Sequence, residues 1–289
     1  MKEKINIVWF KRDLRLSDHQ PLKNAFSNGL PTLLFYNFEP LLLEDAHYNE
    51  RHWRFVYQSI VELNNQLARF NACVYIFNLN MNDLLESIKT QFEIVNIFSH
   101  QEIGLNNTFE RDKAIKAWCQ HNNINWQESQ TGAVIRGKKN RNNWNERWQQ
   151  KMQAPIAVPN WKSIKTITLN NYQAPELPSA YTQDHDSFQQ GGPLHARQVM
   201  QSFFTERGKS YQKGISSPSL SQTIALGFRL ILRGGTLALG KCIKWQLMNI
   251  TQSIPIKEAG SAHLLRLYRA CIGTATLCKS LKANALWNF

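Results

Sequence analysis

The stretch Ile5-Asn6-Ile7-Val8-Trp9-Phe10-Lys11-Arg12-Asp13-Leu14-Arg15 changes character at one point. Up to Phe10 it is apolar and rich in β-formers. From Lys11 it is charged. A short apolar run of this kind reads as a strand buried on both faces of a parallel sheet. Charged residues directly after such a strand lie at the carboxyl end of the sheet, where open α/β folds place their crevices.

Three further runs repeat the pattern. Thr32 to Phe38 is entered by Gly29 and Pro31, and Cys73 to Phe77 and Ile94 to Phe98 follow. Helical spacing fills the gaps. Trp53, Val56, Ile60, Leu63 and Leu67 recur three and four apart, which places them on one helix face. Leu84, Leu85, Ile88 and Phe92 make a shorter stripe. Asn107 with Glu110 three residues on predicts an N-cap opening a helix through Ile115 and Trp118. The sum is an α/β, Rossmann-like parallel-sheet domain over residues 1–135.

Residues 136–190 read differently. Arg136, Lys138, Lys139, Arg141, Trp144, Arg147, Trp148 and Lys151 form a basic, Trp-rich segment. Such a segment either tracks a phosphate backbone and stacks on bases, or is a solvated amphipathic helix. Pro155, Pro159, Pro175 and Pro178 then mark a linker. Gly191-Gly192-Pro193 opens a new region, with Leu194, Met200, Phe203 and Phe204 spaced for a helix that starts at the proline.

Bulk properties set limits. The 289 residues are 43% hydrophobic, enough for a real core. No signal peptide and no long apolar span is present, so a cytoplasmic protein is expected, with no membrane partner. Cys73, Cys119, Cys242, Cys271 and Cys278 form no C-x-x-C pair, so neither a metal site nor a disulfide framework is expected. The net charge of +13 invites a nucleic-acid reading. After Gln222, however, nine Lys/Arg meet one acidic residue, so much of that charge belongs to the tail.

Residues 8–22 resemble the opening of the DNA photolyase/cryptochrome family: a strand ending in W-F-[KR]-x-D-L-R, then D-[NH]-x-[PA]-L. The matching residues here are Trp9, Lys11, Arg12, Asp13, Arg15 and Asp18. Lys11, Arg12, Asp13 and Arg15 form either an ion-pair corner closing the first β-α connection or a ligand contact, and the structural role is the commoner one. Arg51-His52-Trp53-Arg54-Phe55 is similar to the same family, as is Thr131 to Arg141. The latter resembles a bacterial subgroup and departs from the Thr-Pro-Phe type segment of well-studied pyrimidine-dimer photolyases, which leaves the lesion type open. Residues 191–222 resemble the start of the family's all-α flavin-binding domain, with G-G-x-x-x-A, S-F-F-x-E-R-G-x-x-Y and I-S-x-P-x-x-S. The resemblance implies a cofactor-binding role for Tyr211, beside the flavin, and for Lys213, facing a phosphate with Arg207 and Lys209.

The resemblance stops after Gln222. The family then has a flavin-phosphate loop, C-S-R-L-S-P-Y-L-A-W-G. This chain has Thr223-Ile224-Ala225-Leu226-Gly227-Phe228-Arg229-Leu230-Ile231-Leu232-Arg233-Gly234-Gly235. If one base is missing near Thr223 or Ile224, each present codon fixes the last two bases of an intended one. Opposite Ala225 to Gly235 the family loop is then permitted at every position. Opposite Arg266 to Lys282 a helix-like family string, A-F-L-S-R-L-H-W-H-C-H-F-V-Q-K-F-E, is permitted as well. We therefore expect residues 223–289 to be an out-of-frame, poorly ordered tail on a truncated product; the alternative is a divergent C-terminal domain.

The resemblance implies a light-dependent flavoprotein. It is either a DNA repair lyase of the deoxyribodipyrimidine photolyase type or a blue-light photoreceptor, with FAD, an antenna chromophore and damaged DNA as its partners. The missing loop predicts no FAD and no activity in this chain, and no catalytic residue is assigned. Two alternatives stand beside this: a stand-alone chromophore- or nucleotide-binding α/β module, and a product without function.

Overall fold

The computed structural model describes residues 1–132, 134–136, 142–206 and 235–236. Its α/β unit comprises Met1–Thr131 and Ala157–Gly192. In chain order it holds β1 (Glu3–Phe10), α1 (Gln20–Ser27), β2 (Thr32–Asn37), α2 (Pro40–Leu43), α3 (Glu50–Leu67), β3 (Val74–Phe77), α4 (Met81–Gln91), β4 (Phe92–His100), α5 (Asn106–His121) and β5 (Asn125–Ser129). The five strands are parallel, in the order β3-β2-β1-β4-β5. This is the doubly wound order, in which the chain reverses direction between β1 and β4.

The strands form because they are buried on both faces. Alternation along β1 sends Val8 and Phe10 to one core, with Leu34, Tyr36, Ile60 and Leu63. It sends Ile5, Ile7 and Trp9 to the other, with Leu33, Phe35, Leu84, Leu85 and Ile115. All four strands expected from the sequence are present. The fifth, Asn-Trp-Gln-Glu-Ser, is an edge strand with a mixed polar pattern that apolar-run reading passes over. Phe92 ends the α4 stripe but belongs to β4.

One cap is corrected. Leu105, not Asn107, is the N-cap of α5, and no side chain caps it. Asn107 sits inside the first turn and turns its amide to the Leu41 carbonyl and the Asp45 carboxylate.

The proline-marked segment after residue 157 packs on the α/β unit. Trp161 stacks on Phe70, with ring centroids 5.1 Å apart. Tyr172 accepts a hydrogen bond from the Ile76 amide and donates one to the Ile76 carbonyl, covering the exposed edge of β3. This segment also carries a short helix, α7 (Ser179–Thr182).

The second unit comprises Gly132–Ile156 and residues from Pro193 on. It contains α6 (Trp144–Gln153), which buries Trp148 and Met152, and α8 (Pro193–Thr205), which starts at the proline as its sequence implies. Among the described residues no helix is long and apolar enough to cross a membrane.

Candidate functional site

The carboxyl ends of β1, β2 and β4 converge on a set of charged side chains. Asp13 leaves the end of β1 fully buried. Its Oδ1 accepts from the Lys11 backbone N–H at 2.7 Å. Its Oδ2 meets His100 Nδ1, at the end of β4, at 2.5 Å. His19 Nε2 approaches the same oxygen at 3.0 Å, close in distance but without hydrogen-bond alignment.

The protonation states follow from geometry. His19 caps α1, its Nδ1 accepting from the Leu22 N–H at 3.2 Å. Its proton therefore sits on Nε2, facing the carboxylate. Ligand atoms of Asp13, His19 and His100 lie within 4.8 Å of one another. Yet a ring whose Nδ1 lone pair is taken and whose Nε2 bears a proton has nothing to give a cation. The trio in this arrangement fits a hydrogen-bonded carboxylate and does not fit a metal. Burial works against charge on Asp13, but the two imidazoles outweigh it and hold the carboxyl well below its usual range. Burial pushes His100 down to about 4, against the pull of Asp13, and lowers His19 as well.

A second group surrounds Arg111, on the second turn of α5. It reaches Glu39 Oε1 at 2.5 Å, Glu102 Oε2 at 2.7 Å and Asp112 Oδ1 at 2.9 Å. Lys11 Nζ lies 3.2 Å from Asp112 Oδ1. Arg12 Nε reaches Glu102 Oε1 at 2.9 Å, and its Nη2 donates to the Tyr48 hydroxyl. The Trp9 ring meets two cations, Lys11 Nζ at 4.0 Å and the Arg111 guanidinium at 4.7 Å from its centre. Three cations thus face three carboxylates in a buried network, which is how interiors tolerate charge.

The carboxylates differ. Burial opposes charge on Glu102, but Arg12 and Arg111 override it and bring the carboxyl down to about 2. On Glu39 burial wins over Arg111, and the pKa rises to about 7. Glu39 Oε2 is sealed from solvent and has no hydrogen-bond partner among the described residues. A carboxyl with a raised folded-state pKa stabilises the fold below its unfolded pKa and loses that contribution as pH rises through the folded value. Glu39→Gln is therefore expected to gain stability relative to the parent between about pH 5 and about pH 8, by on the order of 2 kcal/mol. Chemical denaturation at the two pH values checks this; a constant difference contradicts it.

The structure brings Trp9, Lys11, Arg12 and Asp13 together at the crevice. Arg15 and Asp18 serve the loop beside it. Arg15 Nε donates to the Asp18 carbonyl at 3.2 Å, and Asp18 Oδ1 accepts from the Ala157 N–H at 3.0 Å. Asp18 adopts a left-handed backbone, φ 57°, which aspartate tolerates. Tyr211 and Lys213 lie outside the described residues, as do Arg207 and Lys209. Sequence reasoning missed Glu39, His100, Glu102, Arg111 and Asp112. Glu39, His100 and Glu102 follow or close strands as Lys11 does, and that position was the available signal. The β1–α1 connection, Lys11 to His19, contains no glycine, so it lacks the cradle that dinucleotide phosphates need.

The DNA photolyase family model matches residues 6–153. Cryptochrome DASH of Synechocystis sp. (strain ATCC 27184 / PCC 6803 / Kazusa) is 28% identical over 102 residues, 34% of this chain and 21% of that one. Deoxyribodipyrimidine photo-lyase of Buchnera aphidicola subsp. Baizongia pistaciae is 27% identical over 177 residues, 57% of this chain and 34% of that one. The crystal structure of a bacterial class III photolyase from Agrobacterium tumefaciens superposes with a TM-score of 0.75 at 15% identity, covering 97% of this chain and 59% of that one. The chain thus spans less than two thirds of the length of these relatives. The likeness to the solved structure concerns the fold, whereas the family model covers just over half of the sequence, including the whole β1–α1 motif and the crevice residues. On that match the chain belongs to the DNA photolyase family, the group that includes the cryptochromes.

Proposed function

We propose that this chain descends from a light-dependent flavoprotein of DNA repair or blue-light reception, and that what it retains is the antenna-type α/β unit. The observation that carries the proposal is Glu39. It stands at the carboxyl end of the sheet, one oxygen held by Arg111 and the other buried without a partner. A carboxyl poised near neutrality donates from that oxygen when protonated and accepts when ionised. That suits the polar edge of a heteroaromatic pigment. The carboxyl ends of the strands are where open α/β sheets bind ligands.

The flavin part of the family's chemistry does not fit this chain. Its phosphate loop would supply hydroxyls and main-chain N–H groups. From Thr223 to Gly235 the only hydroxyl side chain is Thr223, and the run Ala225 to Leu232 is largely apolar. We assign residues 223–289 to a shifted reading frame and derive no step through FAD. Neither repair of damaged DNA nor photoreception is then expected of the chain as it stands. A cytoplasmic location accords with a repair or sensory protein.

The test is the near-ultraviolet and visible absorption of the purified full chain, with nucleotide binding measured in parallel. A bound pigment supports the reading. Colourless protein that takes up neither pigment nor nucleotide overturns it and leaves the second reading, a product without function, which the tail sequence favours.

A further inference from the structure

Among the described residues, Arg54 is a cation without a counter-charge. It lies on α3 with only 8% of its surface exposed. Its Nε and Nη1 are sealed from solvent and meet no acceptor. Its guanidinium faces the ring of Phe188, 5.6 Å away.

Neighbouring groups are otherwise engaged. Asp184 Oδ1 accepts from Gln58 Nε2 at 2.6 Å, and Glu62 Oε1 accepts from Gln66 at 2.8 Å. Glu50, one turn earlier on α3, points into solvent. The backbone N–H groups of Gly191 and Gly192 are spent on Gln58 and Ser59. Arg111 in the same unit has three carboxylates. Arg54 has none.

A guanidinium does not shed its proton, so burial cannot neutralise it as it would a lysine. A buried charge left unpaired is costly, and a group that binds only the folded state relieves that cost. Phe188, whose ring faces the guanidinium, is itself 40% exposed. The guanidinium fork matches the paired oxygens of a carboxylate or phosphate, and the aromatic ring holds its plane.

We propose that Arg54 and Phe188 form a binding site for a small oxyanion, a carboxylate or a phosphate group. The experiment is thermal unfolding of the full chain in sodium chloride, sodium acetate and sodium phosphate at equal ionic strength. Acetate or phosphate raises the transition temperature above the chloride value, and which of the two does so assigns the anion. Arg54→Met is at least as stable as the parent in chloride and shows no anion-specific rise. Phe188→Ala, at a part-exposed position, keeps the fold and needs roughly three- to tenfold more anion for the same rise. An identical transition temperature in all three salts overturns the proposal. So does an Arg54→Met chain that responds like the parent. If Arg54→Met does not fold, an unchanged anion requirement in Phe188→Ala overturns it.

Discussion

Asp13→Ala is expected to destabilise the α/β unit by about 3–5 kcal/mol, the usual cost of removing one partner from a buried charged cluster. The carboxylate is fully buried, accepts from the Lys11 amide and the His100 Nδ1–H, and lies 3.0 Å from His19 Nε2. Without it, two donors in a buried site lose their acceptor together, the His19 ring loses its facing charge, and each orphaned group carries its own desolvation cost. The midpoint of thermal unfolding is expected to fall by roughly 10 °C. Asp13→Asn separates shape from charge. Its amide keeps one acceptor oxygen but turns an NH2 group toward an N–H, so it recovers only part of the loss. Asp13→Ala within about 1 kcal/mol of the parent, the net worth of one ordinary hydrogen bond, contradicts the geometry. The acid limb carries the same signature. His100 is held near 4, below its usual value, so the unfolded chain takes up a proton first as pH falls from about 6.5 to about 4. Stability therefore declines through that window.

Gly191→Ala is expected to cost about 2–4 kcal/mol, for reasons of space rather than backbone conformation. A Cβ at this position would stand 2.1 Å from the Phe55 carbonyl oxygen and 2.7 Å from Ser59 Oγ. The carbonyl belongs to the backbone of α3 and cannot yield. The segment must lift instead, breaking the Gly191 N–H bond to Gln58 Oε1 and the Gly192 N–H bond to Ser59 Oγ. Gly192 is different: its φ of 105° demands glycine, while the group a Cβ would strike is the mobile end of Glu62. Thermal unfolding and limited proteolysis of residues 183–192 check the Gly191 variant. A variant as stable and as protected as the parent shows that the crossing is looser than its geometry.

What could be read from sequence divides along physical lines. Buried parallel strands need apolar residues on both faces, so Ile5 to Phe10 and Thr32 to Phe38 announced themselves. The edge strand Asn125–Ser129 is half exposed, carries a polar pattern and gave no such signal. Residues 157–192 look like a linker because their apolar anchors are aperiodic. Trp161 and Tyr172 each find a partner far away in sequence, in Phe70 and Ile76. The site divides in the same way. Lys11, Arg12 and Asp13 follow one strand directly and were legible there. Glu39, His100, Glu102 and Arg111 become a site only when the strand order sets β1 between β2 and β4, and that is a property of the whole sheet. Asn107 shows the converse: a good capping residue whose amide has better partners in tertiary structure.

The chain keeps the α/β unit of its family, and we propose that a shift of reading frame near Thr223 has cost it the flavin site. Flavin content, measured by denaturing extraction, tests this most directly when two purified chains are compared. One is the chain as it stands; the other has a single base inserted at codon 223 or 224. No flavin is expected in the first and a stoichiometric complement in the second. Stoichiometric flavin in the unaltered chain, or none in the restored one, would contradict the proposal.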